Sequence, residues 1–176
     1  MKVALMLFTL FSAAVHADPL PAASAPRLPE FTQTGVDAWL NSPPLRVADL
    51  RGAVLLLDFW TFDCWNCYRS IPWLKAVEAR ERSAGLRVLG VHTPEFAHER
   101  LRDNVARKLQ EFGITHPVMM DNDFAYWHAL QNQVWPAFYL VDRQGRVRAR
   151  FFGETHAGDA QSARIDSAIK ALLAER

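Results

Sequence analysis

Two cysteines stand in this 176-residue chain, Cys64 and Cys67, and there are no others. They sit in Trp60-Thr-Phe-Asp-Cys-Trp-Asn-Cys67, just past an apolar run and at the start of a helical pattern. A thiolate is the nucleophile of disulfide exchange, and the free amides and positive dipole of a helix's first turn stabilise it. The two-residue spacing lets a second thiol reach back and resolve a mixed disulfide. Cys64 is the candidate attacker and Cys67 the candidate resolving thiol. Other uses of such a pair are weaker. A structural bridge across two residues closes a very small loop and stabilises little. Zinc needs four ligands, and His92, His98, His116, His128 and His156 show no spacing that completes a set, so no metal is expected. Covalent haem needs His directly after the second cysteine, where Tyr68 stands.

Three further residues bear on this pair. Asp58 is a carboxylate inside an apolar strand, six residues before Cys64. Burial would raise its pKa and suit it to move the proton of Cys67, whereas an exposed strand end would leave it idle. Pro72 falls inside the helix that starts at the cysteines; because Ile71, Leu74 and Val77 continue the apolar pattern, a kink is the better reading than a helix end. Trp135-Pro136 precedes a later strand, and its cis or trans state stays open.

The elements that must position these residues follow from periodicity. Ala53 to Trp60 reads as a strand buried on both faces, Cys64 to Ser83 as a helix closed by Gly85, and Leu86 to His92 as a second strand. Ala97, Leu101, Val105, Leu109 and Phe112 repeat at helical spacing up to Gly113. His116 to Met120 is a short strand, and a helix spans about Asn122 to Leu130. Ala137 to Asp142 and Val147 to Phe152 form a hairpin, and Ile165, Ile169, Leu172 and Leu173 mark a last amphipathic helix. This order predicts an α/β fold: a mixed sheet with helices on both faces.

Half of the residues are hydrophobic, 22% are charged and the net charge is +1. That suits one compact domain, and the absence of basic runs interleaved with aromatics argues against nucleic acid. Lys2, the apolar stretch Val3 to Val15 and Val15-His-Ala17 read as a secretory signal cleaved after Ala17, residues 1–17, the stretch being too short to span a bilayer. Asp18 to Glu30 carries four prolines and reads as a flexible tether, leaving 31–176 as the folded domain.

Taken together, Asp58-Phe-Trp60, Cys64-Trp-Asn-Cys67, Pro72 and Pro136 before a strand resemble the thioredoxin superfamily. Asp58 to Cys67, Gly90-Val-His-Thr-Pro-Glu-Phe96, Asp121-Asn-Asp123 and Asn132-Gln-Val-Trp-Pro136 are similar to its TlpA/DipZ-like secreted branch. The resemblance implies a thioredoxin-like mixed sheet with a mid-domain strand-helix insertion, for which Leu86 to Met120 has room. It implies a periplasmic or secreted thiol-disulfide oxidoreductase with Cys64 as nucleophile, Cys67 as resolving thiol and Asp58 assisting proton transfer. Pro136 would be a cis-proline facing the disulfide. The backbone at Trp135 would bind an extended substrate segment, with Trp65 as a further contact surface. Its substrates would be secreted protein thiols and disulfides, and its electron donor a membrane thiol reductase. No cofactor is called for, and a monomer is expected.

Two residues depart from the superfamily pattern. Asp63 stands where thioredoxins carry Trp, and a carboxylate there disfavours the Cys64 thiolate. The central dipeptide Trp65-Asn66 matches neither strongly reducing nor strongly oxidising relatives, so the potential does not carry over. Two other functions compete. A thiol peroxidase shares the fold and the Thr61-x-x-Cys64 spacing, yet Leu57 stands where its proline belongs. A non-catalytic binding module would keep Cys64–Cys67 as a static bridge and dock a partner on Trp65 and Trp135.

Overall fold

The computed structural model of the chain describes residues 19–175; the signal-peptide reading of 1–17 lies outside them. Six strands form one mixed sheet: β1 (Trp39–Leu40), β2 (Val54–Trp60), β3 (Leu86–His92), β4 (Val118–Met120), β5 (Ala137–Val141) and β6 (Val147–Phe152). Their order across the sheet is β1-β4-β3-β2-β5-β6. β2, β3 and β4 are parallel, while β1, β5 and β6 join antiparallel to β4, β2 and β5. The helices are α1 (Trp65–Glu81), α2 (Arg102–Phe112), α3 (Ala125–Ala129) and α4 (Ala160–Ala174).

β2 is central and buried along its whole length. That explains its unbroken apolar run, because both faces are covered. Alternation then divides its side chains. Leu55, Leu57 and Phe59 pack with Trp39, Tyr126 and Trp127 on one face. Val54 and Leu56 meet Trp73, Leu74 and Val77 of α1 and Ile165, Ile169 and Leu172 of α4 on the other. Trp60 continues that second face into a cluster with Cys67 and Ile71 of α1 and Val105 and Leu109 of α2. By the same alternation Asp58 faces α1. Its parallel partner on β3 is Gly90. A side chain at Gly90 would meet the Trp60 indole nitrogen at 2.9 Å, so this position needs glycine for the indole to lie close.

Helix α1 runs through Pro72, as its apolar pattern requires. A short 3-10 turn, Arg82–Ala84, extends it to Gly85, whose φ of 105° closes the element. α2 and β4 between β3 and α3 supply the expected mid-domain insertion.

Several boundaries differ from expectation. The stretch read as the first turn of α2 is instead a 3-10 turn at Ala97–Arg100, and Leu101 is an exposed N-terminal residue rather than an apolar contact. Glu99 is turned inward there, and its hydrogen bonds compete with helical ones. α3 spans only five residues. β1 was not anticipated, being two residues long.

The segment from 19 to 30 is anchored at several points to β6 and the turn before it, while most of its residues stay partly or fully exposed. Leu28 is 6% exposed within the core. Its N–H donates to the Gly145 carbonyl, and the Val147 N–H donates to Pro26. The Tyr126 hydroxyl donates to Pro29. Prolines lack an N–H but keep a carbonyl acceptor, so a proline-rich strand can cover a sheet edge from outside.

Candidate active site

The chain leaves β2 at Trp60, makes a three-residue loop and enters α1 at Cys64, which caps the helix. Cys64 has extended backbone angles (φ −74°, ψ 108°), and its Sγ accepts the Cys67 N–H at 3.2 Å. The two cysteines are joined in a disulfide with Cα atoms 5.2 Å apart. Cys64 is partly exposed, while Cys67 is 3% exposed. No acidic residue occupies the first turn of α1, so the helix dipole there is not offset from within the helix.

Asp58 lies beneath α1 and is 6% exposed. Its Oδ1 has no hydrogen-bond partner, and desolvation pushes its pKa up to about 8. The alternative of an exposed strand end does not hold. Two residues along the same face, Trp60 Nε1 is also buried without a partner. This face of β2 therefore carries an apolar pocket with one titratable carboxyl group.

The loop before Cys64 is held by a residue that sequence reasoning did not single out. Glu99, fully buried, accepts the Thr61 hydroxyl at 2.5 Å and the Asp63 N–H at 3.0 Å with Oε1. Its Oε2 accepts the N–H groups of Glu95 and Phe96 at 2.7 and 2.8 Å. Burial works to raise its pKa, but these hydrogen bonds outweigh it, and Glu99 is held below the ordinary carboxylate range. Because the Thr61 hydroxyl donates to Glu99, it accepts from His92, whose Nε2 lies 3.3 Å away. His92 Nδ1 has no partner, and burial pushes its pKa down to about 4. A neutral imidazole with its proton on Nε2 satisfies all three observations. Asp63 is paired as well: His98 Nε2 lies 2.5 Å from its Oδ2.

The Trp135-Pro136 peptide is cis. The Trp135 indole lies tilted by 39° against Trp127, ring centroids 4.3 Å apart, and packs against the cluster that holds Cys67, as Cys64 also does. No hydrogen bond among the described residues uses the Trp135 N–H or C=O. Asn132 braces this loop, donating to the Val134 carbonyl and accepting the Tyr139 hydroxyl. Trp65 lies in the open, 66% exposed, and stacks on Tyr68 at 5.7 Å. The two tryptophans thus differ in setting: the Trp65 ring is exposed, while Trp135 is half-buried with its backbone groups unpaired among the described residues.

The central parallel strands, the antiparallel β5–β6 hairpin, the Cys64–Cys67 disulfide at the start of α1 and the cis-proline loop beside it define a thioredoxin-like fold with a redox-type cysteine pair. The chain belongs to the Redoxin family, whose profile matches residues 19–169, and within the thioredoxin superfamily it is TlpA/DipZ-like. It is 44% identical over 123 residues to Protein DipZ of Mycobacterium bovis, covering 68% of this chain but 18% of that protein. It is 27% identical over 148 residues to the thiol-disulfide oxidoreductase YkuV of Bacillus subtilis, covering 84% of this chain and 95% of that one. A solved thioredoxin-like superfamily protein superposes with a TM-score of 0.75 at 28% identity, covering 86% of this chain and 99% of the other. The chain thus spans less than a fifth of the length of the DipZ protein and nearly all of the length of YkuV.

Proposed function

We propose that this protein is a thiol-disulfide oxidoreductase that works outside the cytoplasm on protein thiols and disulfides, as a monomer. The observation that carries this reading is the asymmetric pair: a partly exposed Cys64 capping α1 and a covered Cys67 one turn in, with the buried Asp58 on the α1 side of β2. The match to YkuV over nearly its whole length supports the activity, and the secretory pattern of residues 1–17 supports the location.

In the reducing direction, the Cys64 thiolate attacks one sulfur of a client disulfide. The client S–S bond breaks, a Cys64–client disulfide forms, and the departing client thiolate takes a proton. Asp58 then accepts the Cys67 proton. The Cys67 thiolate attacks Cys64 Sγ, the mixed disulfide breaks and the second client thiolate leaves. Two electrons have passed to the client, and the protein carries the Cys64–Cys67 disulfide. An external dithiol, for which a membrane thiol reductase is the fitting source, returns it to the reduced state. A pKa near 8 suits Asp58 to take and give back a proton around neutral pH. The unused N–H and C=O of Trp135 suit an extended client segment paired as a strand beside the disulfide, with Pro136 against the sulfurs and Trp65 as an apolar contact.

Turbidity from dithiothreitol-driven insulin reduction tests this. Wild type is expected to accelerate the reaction and Cys64→Ser to reduce it to background; a Cys64→Ser protein as fast as wild type would overturn the reading.

A further inference from the structure

One residue opposes the chemistry just described. Asp63 directly precedes Cys64, and a carboxylate there resists formation of a second negative charge on sulfur. The structure gives that carboxylate a partner from a segment 35 residues away in sequence: His98 Nε2 stands 2.5 Å from Asp63 Oδ2. The imidazole is held in place. Phe96 stacks on it at 5.9 Å, and Phe62, the residue before Asp63, is tilted against it at 5.7 Å. The Asn104 side-chain amide donates to the His98 carbonyl at 2.9 Å. The Asp63 backbone is tied to the same turn through Glu99.

We propose that His98 is a positioning residue for Cys64: it fixes the Asp63 carboxylate in a hydrogen-bonded pair and offsets its charge, so the Cys64 thiolate forms more readily than beside a free Asp63. This rests on Cys64 being the attacking thiol. The other charged groups at this corner do not do the same work. Glu99 on the same turn and Glu95 just before it are acidic. The Arg100 guanidinium donates to the Asn122 carbonyl instead. His92, at the end of β3, is held neutral by burial. The contact from α2 is the uncharged Asn104 amide. His98 is the basic side chain that touches Asp63.

The test is the pH profile of iodoacetamide alkylation of the reduced full-length protein, with the modified cysteine located by mass spectrometry. His98→Leu is expected to slow Cys64 alkylation at pH 7 about threefold, a shift of roughly half a pH unit in the profile, from Coulomb's law for a partly exposed charge. His98→Lys, which keeps a cation, restores the wild-type profile. Asp63→Asn speeds alkylation about threefold, and adding His98→Leu to it changes nothing further, because His98 acts through Asp63. Superimposable profiles for wild type, His98→Leu and Asp63→Asn, with Cys64 still modified first, would overturn the proposal while leaving the attacking thiol in place. If His98→Leu fails to fold, an unchanged profile for Asp63→Asn overturns it alone. Modification of Cys67 before Cys64 would instead remove the reading beneath it, and the proposal with it.

Discussion

At the residue scale, Asp58 is where function and stability oppose each other. A carboxyl group in an apolar pocket prefers to stay protonated in the fold, while in the unfolded chain it ionises near pH 3.9. Its folded pKa of about 8 is therefore raised. The unfolded state holds fewer protons between those values, so this group makes the fold progressively less stable as pH rises from about 4 to about 8. The cost is absent below that window and complete above it. Integrated over the window it is on the order of 5 kcal/mol. Asp58→Asn removes the titration. Thermal melts are expected to show the variant more stable than wild type at pH 8.5 and little different at pH 4, while insulin reduction slows at least tenfold. A variant no more stable at pH 8.5 would mean that Asp58 is not desolvated as described.

At the scale of elements, the loop from Thr61 to Asp63 owes its shape to the 3-10 turn at Ala97–Arg100, through Glu99. Four donors converge on that carboxylate, and Glu99→Ala takes away their shared acceptor, leaving the buried Thr61 hydroxyl without its partner. We expect a loss of about 2–4 kcal/mol in urea unfolding at neutral pH. The sign of the pH dependence is opposite to that of Asp58. The Glu99 pKa is lowered on folding, so its contribution is present above about pH 4.3, the unfolded value, and is lost as pH falls through the folded one. The penalty of Glu99→Ala should shrink under acid; a penalty independent of pH would contradict the ionised carboxylate. Here the limits of sequence reading have a physical cause. β2, α1, β3 and the β5–β6 hairpin were legible because burial on one or two faces writes a period into the sequence. Cys64, Cys67 and Asp58 were legible because residues of their type are conspicuous at those positions. Glu99 was not, because its partners are backbone N–H groups and a threonine 38 positions away, and an isolated glutamate in a polar stretch reads as surface. His98 was hidden for the same reason: only the fold brings it to Asp63. The one available hint was Asp63 itself, an unfavourable charge in want of a partner.

Across the whole molecule, the sheet sets which groups gather around the start of α1. β2 carries Asp58 and leads into the loop that ends at Cys64, β5 follows directly from Trp135-Pro136, and the 3-10 turn between β3 and α2 brings Glu99 and His98 up to that loop. Backbone hydrogen bonds tie parts of the N-terminal segment to β6 and the turn before it, a contact its proline-rich composition does not announce. If Cys64 attacks the client and Cys67 releases it, removing the resolving thiol must trap the intermediate between them. In Cys67→Ser the second step cannot occur. When the reduced variant is mixed with a disulfide-containing client peptide and quenched with acid, the account predicts a mixed disulfide through Cys64, stable on non-reducing gels, mapped by mass spectrometry and dissolved by dithiothreitol. Cys64→Ser should give at most a trace through the buried Cys67. Equal trapping through either cysteine, or none in Cys67→Ser, would contradict the account.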